Sequence, residues 1–128
     1  MGAAAQPILN QLATSEAPGA KPVGSSTVGM FQPGQQLETV VTLQPGKCYT
    51  VIAVGLPAVS EVNVQLVAAT PVPNMNPVLA EDQTTGPQAV LGQTPNCYKW
   101  PLPLPASAKV ITSVAAGQGI AAVQVYEK

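Results

Sequence analysis

The chain has 128 residues, and only 9% of them are charged, against about 25% in a typical soluble domain. It contains no histidine, and all five basic residues are lysines, so arginine is absent as well. These absences exclude Ser–His and Cys–His catalytic pairs, imidazole metal ligands and bidentate arginine clamps. We therefore predict a protein that is not an enzyme and has no cofactor. With a net charge of −1 and lysines scattered along the chain, we predict no nucleic-acid binding.

The first 30 residues are mostly small and polar, and they bury too little apolar surface to offset the entropy of ordering. Ile8, Leu9 and Leu12 have helical spacing and predict one short turn against the body of the protein. We predict a flexible N-terminal tether over residues 1–30 and a single domain over residues 31–128.

After residue 30, short runs rich in β-branched and aromatic residues alternate with Pro and Gly. Residues 61–67 alternate aliphatic and polar side chains, which is typical of a half-buried strand. Pro45-Gly46 predicts a type II turn, and residues 116–119 predict a hairpin loop. The predicted strands are 37–43, 47–54, 61–67, 78–82, 88–91, 109–114 and 120–126. This pattern predicts an all-β fold, an antiparallel β-sandwich or jelly roll of about seven or eight short strands.

The two cysteines, Cys48 and Cys97, lie 49 positions apart, and each precedes a tyrosine. An even count in a small domain with few aromatic residues predicts a disulfide and an oxidising compartment. Closing a loop of this length removes roughly 4 kcal/mol of unfolded-chain entropy. The alternative is a pair of buried free thiols in a cytosolic protein.

No apolar run approaches the ~20 residues that a transmembrane helix needs. The N-terminus also lacks the basic start and continuous apolar core of a signal peptide. An exported location therefore requires an export signal that is not part of this sequence.

The order of the strand motifs resembles the bacterial pre-peptidase C-terminal domain family, especially its Cys-containing relatives in exported proteins and lipoproteins. The resemblance covers about residues 33–128 and follows hydrophobic order rather than a catalytic signature. The first strand has a glycine, a tyrosine and a valine in order, here Gly46, Tyr49 and Val51. An aliphatic strand follows, with Val62, Val64 and Leu66 on one face. A loop with Asp82 and a closing strand over residues 119–126, which begins with glycine, complete the pattern.

The resemblance implies a jelly-roll sandwich with an accessory, adhesion or envelope role. It implies an exported protein of a Gram-negative bacterium, in the periplasm or at the outer membrane or cell surface, with a lipid anchor as one arrangement. Relatives that bind calcium have Asp-rich stretches, and here these are reduced to Glu81-Asp82.

Two candidate sites follow from local motifs. Tyr98 and Trp100 precede alternating prolines, which cannot donate to a central sheet. The pair is either a stacking platform for a sugar ring or a peptide, or it belongs to a cap in which Trp100, Leu102 and Leu104 fold over an open end of the sandwich. Glu81 and Asp82 supply oxygen ligands that calcium prefers, and the alternative is an aspartate that caps a turn.

These observations favour a non-catalytic, exported β-sandwich module with a structural or protein-interaction role. Its partner would be a protein or another envelope component. The alternative function is carbohydrate binding through Trp100 and Tyr98. The low charge content also predicts a tendency to self-association, since little repulsion separates neighbouring β surfaces.

Overall fold

The structure is a computed structural model that describes residues 6–16, 19–55, 59–69, 78–82, 86–91, 98–100 and 103–128. These residues form one helix and nine strands. In chain order they are α1 (Gln6–Glu16), β1 (Lys21–Phe31), β2 (Gln36–Leu43), β3 (Cys48–Gly55), β4 (Val59–Ala68), β5 (Val78–Glu81), β6 (Gln88–Leu91), β7 (Tyr98–Lys99), β8 (Ala106–Gly117) and β9 (Gly119–Glu127).

The strands form two antiparallel sheets. Sheet I has the order β1-β9-β3-β6, and β7 pairs with the start of β3 beyond the end of β6. Sheet II has the order β2-β8-β4-β5. The predicted all-β antiparallel sandwich is therefore confirmed. The strands that the sequence did not predict are β1 and β7.

The main core lies between the two sheets and consists mainly of valine, leucine and alanine side chains. In β4, Val62, Val64 and Leu66 are fully buried, while the residues between them are partly exposed. This confirms the half-buried strand predicted from the alternation. All residues of β3 between its two ends are buried, because one face of the strand meets the main core and the other lies under α1.

Helix α1 packs against the outer side of sheet I. Leu9 has no exposed surface and lies in a second cluster with Ile52, Val90 and Tyr126. The Tyr126 hydroxyl donates a hydrogen bond to the Leu9 carbonyl oxygen over 3.4 Å. The predicted helical turn at Ile8, Leu9 and Leu12 thus becomes a helix of 11 residues. Within the described part of the chain, no helix is both long and apolar enough to cross a membrane.

The predicted flexible tether over residues 1–30 differs from the structure in every part that the structure describes. Residues 6–16 are helical, and β1 pairs with β9 from Lys21↔Glu127 to Phe31↔Gly119. The boundary predicted between residues 30 and 31 falls inside β1. The physical reason is that β9 supplies hydrogen-bond partners for a segment whose own side chains are small, and Phe31 buries its ring in the main core.

Two turn predictions had opposite outcomes. The type II turn is confirmed, because Gly46 has a φ of +76° and the Lys47 amide donates to the Gln44 carbonyl oxygen over 3.3 Å. The predicted hairpin loop at residues 116–119 is wrong. Gly117 and Gly119 have positive φ values, but β8 belongs to sheet II and β9 to sheet I. The segment therefore carries the chain from one sheet to the other.

Candidate interaction surfaces

The two sheets differ in what covers their outer sides. Sheet I lies under α1, whereas alternate residues of sheet II point outward and are exposed or partly exposed. We call this surface the outer face of sheet II. The pairing aligns its side chains in rows across the strands. Its residues are Gln36, Glu38, Val40, Thr42, Glu61, Asn63, Gln65, Val67, Val78, Glu81, Ser107, Lys109, Ile111 and Ser113.

An apolar row crosses this face. Val40 on β2 pairs with Lys109 on β8, Lys109 with Val67 on β4, and Val67 with Val78 on β5. Val40 is 66% exposed and Val78 is 37% exposed. The aliphatic stem of a lysine can cover apolar surface while its ammonium group stays in water. The row therefore offers a band of apolar contacts that spans all four strands.

Carboxylates lie on one side of this band, and Thr42 and Ser107 lie on the other. Glu38 and Glu81 lie in the next row, on either side of Ile111 and Gln65. Glu38 pairs with Lys109 over 3.7 Å, with both side chains about half exposed, so the pair contributes little to stability. Together with Glu61, and with Asp82, which lines the recess at the edge of this face, the described part of this surface presents four carboxylates against the single cation of Lys109. The outer face of sheet II is therefore acidic, although the whole chain has a net charge of only −1.

The predicted calcium candidates lie beside a polar recess of about 380 Å³ on this face. One Asp82 carboxylate oxygen accepts a hydrogen bond from the Val64 amide over 2.9 Å, and the Asp82 amide donates to the Val64 carbonyl oxygen. Glu81 accepts a hydrogen bond from the Gln65 side chain over 3.2 Å. Asp82 therefore bonds to the backbone of the neighbouring strand β4, and the alternative of an aspartate that caps its own turn stays a prediction. Among the described residues, no group of three or more His, Cys, Asp or Glu side chains could hold a metal ion.

The two aromatic candidates, Trp100 and Tyr98, do not form an exposed platform in the structure. Trp100 is only 3% exposed and belongs to the main core, and its indole N–H donates to the Leu104 carbonyl oxygen over 2.8 Å. Tyr98 is half-buried against the same core, and burial raises the pKa of its phenol. A buried indole cannot stack on a sugar ring. The geometry agrees with the cap interpretation for Trp100, which closes one end of the sandwich. It disagrees for Leu104, which is 72% exposed, and Leu102 lies outside the described residues.

That end of the sandwich carries most of the cations, a grouping that the sequence did not reveal. Three of the lysines lie around Cys48: Lys99 pairs with it across the strands, Lys128 exchanges backbone hydrogen bonds with it, and Lys47 precedes it in the chain. The fourth, Lys21 on β1, pairs with Glu127 at the end of β9. All four lysines are exposed. Leu104 follows at the same end, where β8 begins opposite the end of β2, and it is 72% exposed. We call the surface formed by Lys21, Lys47, Lys99, Lys128 and Leu104 the basal end.

The buried side chain of Tyr49 connects the strand ends at the basal end. Tyr49 is fully buried, and its hydroxyl donates to a Glu127 carboxylate oxygen over 2.9 Å while accepting from the Gln44 amide over 2.7 Å. Burial is the largest cause that raises the pKa of Tyr49; the Gln44 hydrogen bond lowers it, and the Glu127 hydrogen bond and charge raise it further. The phenol is therefore neutral near pH 7. It holds the ends of β2, β3 and β9 together.

The structure describes only one of the two cysteines in the predicted disulfide. Cys48 is not a free thiol. Cys97 lies outside the described residues, so the Cys48–Cys97 pairing stays a prediction.

A cleft of about 450 Å³ lies between β1 and β2, on the side where the edge strands of the two sheets face each other. Its lining is mostly valine and threonine, and the Thr39 hydroxyl oxygen is buried without a hydrogen-bond partner. The sheets are therefore less tightly closed on this side.

Comparisons with known proteins support the fold alone. No protein-family model and no curated protein matches the chain. Among solved structures, the chain is similar to Aeromonas hydrophila PliG, a periplasmic lysozyme inhibitor of g-type lysozyme. The TM-score is 0.55 at 15% sequence identity, and the match covers 88% of this chain and 90% of that chain. At this identity the likeness shows a shared β-sandwich architecture. The resemblance to the pre-peptidase C-terminal family stays a prediction.

Proposed function

We propose that the protein is an exported, non-catalytic module that binds a protein partner through the outer face of sheet II. The observation that carries the proposal is the apolar row, which crosses four strands and has carboxylates along one side. An interface of this kind combines a central apolar contact with a charged rim that selects the partner.

The charge of the face specifies the partner's chemistry. Four carboxylates against one lysine complement a partner surface that presents lysine or arginine side chains around an apolar centre. The positions of these side chains are set by backbone pairing on both sides of β8 and β4. Such a face needs little ordering when a partner docks, which limits the entropic cost of binding.

We propose a g-type lysozyme as the partner and inhibition as the outcome. A protein of the same architecture, PliG, is a periplasmic inhibitor of that enzyme. A periplasmic location also agrees with the predicted disulfide. The resemblance to the pre-peptidase C-terminal family supports an exported accessory domain. We include a lipid anchor in the proposal, because some relatives of that family are lipoproteins. The carbohydrate alternative loses support because Trp100 is buried.

The test uses a purified g-type lysozyme in two assays, calorimetric binding and lysis of a cell-wall suspension. We expect 1:1 binding and a lytic rate that falls as the protein is added. A folded protein that neither binds nor slows the enzyme would refute the proposed partner.

A matched pair of variants tests the face itself. Val40→Lys places a cation in the apolar row, and Met30→Lys makes the same change on β1, where Met30 is 59% exposed. We expect Val40→Lys to weaken binding at least 10-fold, about 1.4 kcal/mol or more, and Met30→Lys to change it less than 2-fold. Equal losses in both variants would rule out the outer face of sheet II as the binding surface.

A further inference from the structure

The basal end groups four of the five lysines, although they are spread from residue 21 to residue 128 in the chain. Lys21 begins β1, Lys99 ends β7 and Lys128 directly follows β9, with β3 between β9 and β7. Lys99 and Lys128 are level with Cys48, whereas Lys21 lies one residue away, opposite Glu127. Neighbouring strands lie about 4.8 Å apart, so the backbone positions from β1 to β7 span about 14 Å. This span exceeds the Debye length of about 8 Å at physiological ionic strength, so the lysines suit an extended anionic surface that meets each of them rather than one small anion.

One side-chain carboxylate opposes these charges within the described residues of the basal end. It belongs to Glu127, and it already accepts the hydrogen bond from the buried Tyr49 hydroxyl. The acidic side chains of sheet II lie further up the strands. Glu38 is five residues before Leu43, where β2 ends at the base, a distance of about 17 Å at 3.3 Å per residue. The molecule is thus polarised, with cations at its base and carboxylates on the upper part of one face.

Leu104 adds an apolar element to the same end. It is the most exposed large hydrophobic residue of the described chain, at 72%. Its position is fixed, because its carbonyl oxygen accepts the hydrogen bond from the buried Trp100 indole. An end of the molecule that presents both lysines and an exposed apolar side chain is suited to the boundary between lipid headgroups and acyl chains.

From these observations we propose that the basal end docks on the surface of an anionic phospholipid bilayer. The lysines would bind the phosphate-bearing headgroups, and Leu104 would enter the interface. Lysine is a point charge that needs no fixed fork geometry, so mobile headgroups can adapt to the spacing of the four side chains. A nucleic acid is less well matched, since the basal end offers no exposed aromatic ring for base stacking within the described residues.

Docking in this orientation leaves the outer face of sheet II accessible. The strands run from the base upward, so the carboxylates and the apolar row would stand away from the membrane. The lipid proposal uses different residues from the proposed protein interface. Either proposal can therefore fail without the other.

The test is co-sedimentation of the full chain with vesicles of 30% phosphatidylglycerol and 70% phosphatidylcholine, against vesicles of phosphatidylcholine alone. We expect at least 10-fold stronger binding to the anionic vesicles and loss of that difference in 0.5 M salt. Equal binding to both vesicle types would overturn the proposal.

Single substitutions assign the surface. Lys47→Gln and Lys99→Gln are each expected to weaken vesicle binding roughly 5-fold, the effect of about 1 kcal/mol per lysine near an anionic surface. Lys109→Gln makes the same charge change on sheet II and is the matched control, expected to stay within 2-fold of the unchanged protein. If Lys109→Gln weakens binding as much as Lys47→Gln, the basal end is not the docking surface.

A second matched pair separates a bilayer from any other polyanion. Leu104→Gln is expected to reduce vesicle binding several-fold, while Met30→Gln removes an equally exposed apolar side chain elsewhere and should have no effect. Loss through the lysine variants with none through Leu104→Gln would mean simple polyanion binding and would overturn the lipid proposal. The substituted side chains are exposed except that of Lys109, which is partly exposed, and circular dichroism melting curves would verify that each variant is folded.

Discussion

Replacing Leu9 by alanine tests whether α1 is an integral layer of the fold. Leu9 is fully buried among Ile52, Val54, Val90 and Tyr126. Truncating a buried leucine to alanine costs about 2–5 kcal/mol, depending on how far the surroundings close the cavity. Because α1 is a surface helix that can shift to fill part of the space, we expect a loss at the lower end, about 2–3 kcal/mol. This is a large fraction of the stability of about 5–15 kcal/mol that is usual for a domain.

The measurement is urea denaturation followed by tyrosine and tryptophan fluorescence. Gln11→Ala is the control, because Gln11 is exposed on the same helix and its loss should change the free energy of unfolding by less than about 0.5 kcal/mol. If Leu9→Ala and Gln11→Ala have the same small effect, residues 6–16 do not pack against sheet I. The N-terminal segment would then be the flexible tether that its composition predicts.

Three further predictions concern the core and the cysteines. Burial raises the pKa of each tyrosine in the chain, so tyrosinate absorbance at alkaline pH should appear later in the native protein than in the denatured chain. Raised phenol pKa values contribute stability below about pH 10, the pKa in the unfolded chain. This contribution is lost as the pH rises through the pKa values of the folded protein. A native titration curve that coincides with that of the denatured chain would contradict the raised pKa values. Adding an alanine methyl at Gly55 would bring its carbon to 2.5 Å from the buried Val59 side chain. Gly55→Ala should therefore destabilise by about 1–3 kcal/mol in urea, and an unchanged midpoint would show that Val59 can move. Mass spectrometry after alkylation without reductant should find no labelled thiol if Cys48 and Cys97 are paired, and reduction should lower the free energy of unfolding by roughly 4 kcal/mol; two labelled thiols in the native protein would exclude the disulfide.

The strands of the two sheets are predictable to the extent that their side chains alternate. In β4 the alternation of Val62, Val64 and Leu66 with polar residues directly reports a strand with one buried face. Strand β1 has no such pattern and is rich in glycine and serine. It exists because β9, about 100 residues later, presents a free edge to pair with. The local composition of a segment does not indicate which distant strand it pairs with.

The candidate surfaces show the same limit. The exposed positions of β2, β8 and β4 can be assigned to one face from alternation alone, but their order across sheet II requires the strand topology. Trp100 was open to two interpretations in the sequence, and only its burial distinguishes them. The basal lysines are far apart in the chain and become neighbours through the register of β1, β9, β3 and β7. The sequence signal that could have pointed to them is weak: each lies next to a strand end.

The most direct test of the proposed protein interface is a methyl NMR titration of the labelled chain with a g-type lysozyme. We expect the methyl signals of Val40, Val67 and Ile111 to shift or broaden, while those of Ile52 and Val90 beneath α1 stay unchanged. Perturbation confined to the α1 side, with the three outward methyl groups of sheet II unaffected, would contradict it.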